Sequence, residues 1–152
     1  MPPPPRSREA PPPEPAHRLD RLLWLALATT SLSILTTARL LTPSPTGVGT
    51  HMALGLPPCG FLEWSGLPCP ACGLTTSFAH LARAHLGEAL AANPMGFPLF
   101  AVTAALLPFS VYQARRATIF IQALERLRAD RAALLIVLAL LVTWSARLFA
   151  LT

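Results

Sequence analysis

Three stretches of this chain are too long and too uniformly apolar to be ordinary core helices. Leu22 to Leu41 (LLWLALATTSLSILTTARLL) has one charge, Arg39, near its end. Pro94 to Tyr112 (PMGFPLFAVTAALLPFSVY) has none, and Ala132 to Leu151 is interrupted only by Arg147. At about 1.5 Å of rise per residue, each run covers the roughly 30 Å hydrocarbon core of a bilayer as a helix. A surface helix of a soluble protein keeps a charged face, and none of these runs has one. Charged residues are 12% of the chain, against roughly 25% in soluble domains, too few to solvate a globular surface. The expected fold is all-α: a membrane protein with three transmembrane helices at about 22–41, 94–112 and 132–151, plus a short surface or re-entrant helix. Pro98 and Pro108 are expected to kink the second span, which lipid tolerates where neighbouring helices satisfy the freed carbonyls. The first run reads as a retained anchor, because its leader is long and proline-rich and no small-x-small cleavage site follows closely.

The chain has no lysine, so orientation rests on 12 arginines. Arg6, Arg8, Arg18 and Arg21 precede the first span, and Arg115, Arg116, Arg126, Arg128 and Arg131 lie between the second and third. The excess of basic residues places these two regions in the cytoplasm. The residues between spans one and two then lie outside, with the carboxyl terminus. The formal charge of +5 therefore reads as a topology signal, and no nucleic-acid partner is expected.

Residues 1–18 open with eight of the 17 prolines and form the expected disordered cytoplasmic tail; residues 19–152 form the helical membrane domain. In the cytoplasmic link, Phe120, Leu124 and Leu127 recur at helical spacing opposite Arg126, Arg128 and Asp130. That pattern predicts a short amphipathic helix.

The specific signal is in the exterior segment 42–93, which holds all three cysteines and three of the four histidines, His51, His80 and His85. Its centre reads from Cys59 through Gly66-Leu67-Pro68-Cys69-Pro70-Ala71-Cys72-Gly73-Leu74-Thr75. After Gly73 the residues favour a helix to about Ala91, until Asn93-Pro94 ends it. On that helix Leu74, Phe78, Leu81, Ala82, His85 and Ala89 share one face, and Cys72, Thr76, Ala79 and Arg83 form another row.

The block from Cys59 to Gly96 resembles domain of unknown function family 2752, small bacterial membrane proteins. Their marks are an early cysteine, a Gly-x-Pro-Cys-Pro-x-Cys-Gly-[Leu/Met]-Thr run and a later Ala-x-x-Asn-Pro-[Leu/Met]-Gly. The last part stands here as Ala91-Ala92-Asn93-Pro94-Met95-Gly96, with approximate spacing. Many members have arginine after the Leu-Thr pair, where this chain has Thr76, so no role of that arginine carries over. The resemblance implies a bacterial cytoplasmic membrane protein and brings no activity with it.

Three readings of Cys59, Cys69 and Cys72 stand together. A metal site would use the three thiolates with His80, or with His51 instead, as a Cys₃His tetrahedron for zinc. A structural disulfide from Cys59 to Cys69 or Cys72 would pin the loop and leave one thiol over. A thiol-disulfide oxidoreductase would use the Cys69/Cys72 pair, with Cys72 activated at a helix N-terminus. Cys-x-x-Cys-Gly is not a haem attachment sequence. No Ser/His/Asp set, paired carboxylates, phosphate loop or nucleotide fingerprint is present. A stapled or zinc-binding exterior loop is therefore preferred over catalysis, on a membrane accessory or interaction protein whose partners are the bilayer and an unidentified membrane protein. Arg39, Arg83 and Arg147 are expected to snorkel to lipid headgroups, or to bind an anionic headgroup or pair with Glu63. Trp24, Trp64 and Trp144 read as interfacial anchors.

Overall fold

The computed structural model describes residues 18–116 and 118–149. The proline-rich tail, Ala117 and the last three residues lie outside the described residues. Seven α-helices and one 3-10 turn (Thr50–Leu54) make up the fold, with no strand among the described residues. The helices are α1 (Arg18–Leu40), α2 (Gly60–Ser65), α3 (Leu74–Leu81), α4 (Leu86–Ala92), α5 (Gly96–Arg116), α6 (Phe120–Arg126) and α7 (Ala129–Phe149). Of these, α1, α5 and α7 are long and apolar enough to cross a membrane.

α1 and α5 pack side by side. The buried positions on α1 are Trp24, Ala28, Ser31 and Ala38, and on α5 they are Gly96, Ser110 and Ala114. Apart from Trp24 these are small, which lets two backbones approach where apolar side chains gain nothing by leaving lipid. α5 runs unbroken through Pro108, and Pro98 stands in its first turn, where a missing amide costs little.

Near the start of α1 is an aromatic core. Trp24 is 2% exposed and packs with Ala114, Ala123, Leu27, Phe109 and Phe120. Its ring lies 5.7 Å from Phe109 and 4.6 Å from Phe120, and its Nε1 donates to the Thr118 carbonyl at 3.0 Å. The Asp20 carboxylate accepts the Phe120 amide at 3.0 Å, tying α6 to α1. Trp24 is thus a buried core residue, not the interfacial anchor expected of it, because two aromatic rings from distant segments close over it. Trp64 is 86% exposed, as an anchor would be.

The expected single helix from Gly73 to about Ala91 is two helices that fold back on each other. Arg83 and His85 both donate their amides to the His80 carbonyl, and Ala84 turns through a left-handed φ of 61°. No glycine or proline marks this break. Its cause is tertiary: the Ser77 hydroxyl reaches the Ala89 and Asn93 carbonyls, drawing α4 onto α3. Gly96 completes the contact, since a Cβ there would lie 2.0 Å from Ser77 Oγ. The two short helices and the preceding loop form a cap over the ends of α1 and α5.

Candidate functional site

The cap brings the three cysteines together through two turns. Cys59 follows Pro57-Pro58 and sits at the start of α2, where its carbonyl accepts the Glu63 amide. α2 ends at Gly66 in a left-handed turn (φ 71°), and Pro68 to Cys72 then reverses the chain, with the Cys72 amide on the Cys69 carbonyl at 3.0 Å. Gly73, at φ 82°, starts α3. The three sulfur atoms all lie within 4.8 Å of one another. Cys59 and Cys69 are half-buried free thiols and Cys72 is buried. Beside them is a cavity of about 660 Å³, lined also by His51, Met52, Ser44 and Thr76.

The thiols differ electrostatically. The backbone amide of Leu62 holds the Cys59 thiol below its ordinary range, helped by Cys69, Cys72 and the Phe61 amide and opposed by desolvation. Burial pushes the Cys72 thiol up to about 12; a backbone hydrogen bond at Cys69 opposes the rise, while the Cys69 and Cys59 side chains and the charge of Cys69 add to it. One edge of the cluster therefore favours thiolate and the other favours thiol. A cation among the sulfurs would override that difference, because a coordinating thiol is deprotonated outright.

A polar frame fixes the turn. Asn93, 1% exposed, donates from Nδ2 to the Pro70 carbonyl at 3.3 Å and the Cys72 carbonyl at 3.0 Å, and its Oδ1 accepts the Met95 amide. Arg147 donates from Nη1 to the Cys72 carbonyl at 3.2 Å and from Nη2 to the Ala92 carbonyl at 3.1 Å. Trp144 Nε1 donates to the Pro68 carbonyl at 2.7 Å, and its ring meets Phe61 edge-on at 6.3 Å. Buried Thr50 and Thr76 share a hydroxyl hydrogen bond of 2.8 Å, and Thr50 also accepts the Ser44 amide. Gly73 is required by contact as well as by conformation: a Cβ there would lie 2.4 Å from the Ala92 carbonyl oxygen. Asn93 and Thr50 were not among the residues singled out from sequence. Asn93 has two signals in the sequence, its place before Pro94, which reads equally well as a helix stop, and its place in the Asn-Pro-Met-Gly run; neither one points to the cysteine turn.

The other candidate residues fall in three places. His51 lines the cysteine cavity and has Nε2 3.1 Å from the Pro57 carbonyl. His80 is outside the group of mutually close sulfurs; its ring lies 5.9 Å from that of His85, and its buried Nδ1 has no hydrogen-bond partner. Arg83 bonds the Ala38 and Arg39 carbonyls and that of Ala79, so it caps the end of α1. Arg39 has an exposed side chain in the last turn of α1. Glu63, on α2, has no ion-pair partner among the described residues.

Residues 59–107 match the family model described as a protein of unknown function (DUF2752). That stretch begins at Cys59 and takes in the cysteine turn, α3, α4 and the first half of α5. The resemblance read from the cysteine block therefore has independent support. The comparison with curated proteins found no match, and neither did the comparison with solved structures.

Proposed function

We propose that this three-helix membrane protein of the DUF2752 family is an accessory or interaction protein whose cap is organised by one thiolate-bound metal ion of the zinc class, held by Cys59, Cys69 and Cys72. The observation that carries the reading is the mutual approach of the three sulfurs to within 4.8 Å. With Zn–S bonds of about 2.3 Å, tetrahedral ligand sulfurs stand about 3.8 Å apart, so only small side-chain shifts separate this cluster from a coordination sphere. Three cysteines cannot all be used by one disulfide, whereas one ion uses all of them. His51 lines the same cavity but, like His80, stands outside the group of mutually close ligand atoms; a shifted His51 side chain or a water is the candidate for a fourth ligand. The arginine distribution supports a cytoplasmic amino terminus and an exterior cap in the bacterial cytoplasmic membrane. The ion's work is structural: it ties the start of α2 to the turn that begins α3.

A second reading, thiol-disulfide exchange within the cysteine cluster, draws on the unequal thiols: a thiolate-prone Cys59 beside a Cys72 kept protonated by burial makes Cys59 the poised nucleophile, in place of the Cys72 activation expected at the start of α3. Metal analysis and thiol titration on protein purified without reductant separate the two. One zinc per chain, lost in each single Cys→Ser variant, is the expected result. A disulfide that opens and closes reversibly with no metal would establish the second reading instead. Three free thiols with no metal would sink both.

A further inference from the structure

A second cavity, of about 500 Å³, lies on the membrane side of the cysteine turn, bounded by α1, α3 and α5. Its α1 wall comes from the last two turns of the span and its α5 wall from Leu99 to Thr103, so it sits within the apolar band at the capped end. Ile34, Leu74 and Leu99 make aliphatic walls. Phe78 adds an aromatic one, held by an edge-on contact with Phe100 at 5.3 Å.

Four hydroxyl side chains line this otherwise apolar space: Ser33, Thr37, Thr75 and Thr103. Thr103 is committed to the Leu99 carbonyl at 2.7 Å. The other three make no hydrogen bond among the described residues. Ser33 is exposed and Thr37 and Thr75 are half-buried, so their hydroxyls are open to an acceptor that enters the cavity, and in an apolar setting each gains by finding one. Ser33 and Thr37 stand one turn apart on α1, while Thr75 belongs to α3. Donors therefore come from two different helices. A hydrocarbon tail would leave them unmet, and a charged headgroup would find no cation among the lining residues.

We infer that this cavity binds the ring of a lipid-soluble quinone, whose carbonyl oxygens accept hydrogen bonds from the α1 hydroxyls and from Thr75. A flat ring with acceptors at two edges and an aromatic face matches donors on two helices beside Phe78, and the isoprenoid tail stays in the bilayer. Thr75 also lines the cysteine cavity, so the ring lies one side chain away from the thiol cluster. The site does not depend on the metal reading, because no lining residue is a cysteine.

The test uses the full chain in phosphatidylcholine nanodiscs free of native lipid, with a short-tailed menaquinone as the probe and equilibrium binding as the readout. Saturable binding is expected. A Thr37→Val/Thr75→Val double variant should bind at least about tenfold more weakly, the equivalent of roughly 1.4 kcal/mol, with an unchanged melting curve. The triple Cys→Ser variant, if its melting curve shows it folded, should bind as the native chain does, which separates failure of this site from failure of the metal reading. Absence of saturable binding, equal affinity in the double variant, or equal binding of the ringless isoprenoid chain would overturn the proposal; the last would mean a groove for lipid tails.

Discussion

α1 and α7 are both long enough and apolar enough to span a membrane, yet they relate to the rest of the molecule in opposite ways. α1 buries four residues and packs along α5, while α7, the more apolar helix, buries none. No Cα of α7 comes within 8 Å of α1 or α5 among the described residues. It is held at one end by α6 and at the other by Trp144 and Arg147, which reach the cysteine turn. In lipid, apolarity alone gives no reason for helices to associate. Small residues and polar contacts do that work. α1 and α5 carry the small residues at their contact, and among the described residues α7 has its polar contacts to other elements only near one end.

The largest test of this difference is Trp24→Ala against Leu138→Ala. Emptying the aromatic core should cost about 3–5 kcal/mol, whereas Leu138, 48% exposed on α7, should change stability by less than about 0.5 kcal/mol, as substitutions away from packed features do. Denaturant unfolding in detergent reads both, and equal losses would erase the distinction.

A smaller effect is expected from Arg147→Met, which keeps the apolar stem and removes two charge-assisted hydrogen bonds. Each such bond is worth about 1.5–3 kcal/mol, and less where, as at half-buried Arg147, water competes for the donor. The capped end of α7 should separate from the cysteine turn, seen as a longer and broader distance between spin labels on α7 and α2. The distance between labels on α1 and α5 should not move. If α7 stays in place, contacts other than these hydrogen bonds hold it.

The last effect concerns pH in metal-free protein and is silent at neutral pH. Cys72 has its thiol raised in the fold from 9.0 to about 12 by burial, so the unfolded chain releases that proton first. The stability this group contributes is present below about pH 9 and declines as pH rises towards about 12. Cys72→Ala should flatten that decline. Cys59, with its pKa lowered, should be alkylated by maleimide at lower pH than Cys72, and equal rates would contradict the asymmetry within the cluster.

The three spans were legible in the sequence to within a few residues, because a run without charge has few other places to go. The Cys69/Cys72 turn was legible for a similar reason, since Pro, Gly and cysteine spacing act locally. What was not legible depended on distant partners. The break between α3 and α4 needs Ser77 to capture the end of α4, and no residue between Ala82 and His85 announces it. Trp24 near the end of a span looks like a headgroup anchor until Phe109 and Phe120 are placed over it. Arg147 looked like a snorkelling residue because sequence gives its depth and not its direction, and its hydrogen bonds point inward to the cap. His80 looked close to Cys72, but it stands in the last turn of α3, about 9 Å along the axis from Leu74, while the sulfurs gather before α3 begins. Cys59 joins them because α2 and the Gly66 turn bring its end of the loop back.

The most direct measurement is X-ray absorption at the zinc edge on protein purified with zinc and without reductant. Three sulfur neighbours at about 2.3 Å, with one lighter nitrogen or oxygen neighbour, are expected. A shell of nitrogen and oxygen alone, or one or two sulfurs alongside an intact disulfide, would contradict a single ion shared by Cys59, Cys69 and Cys72.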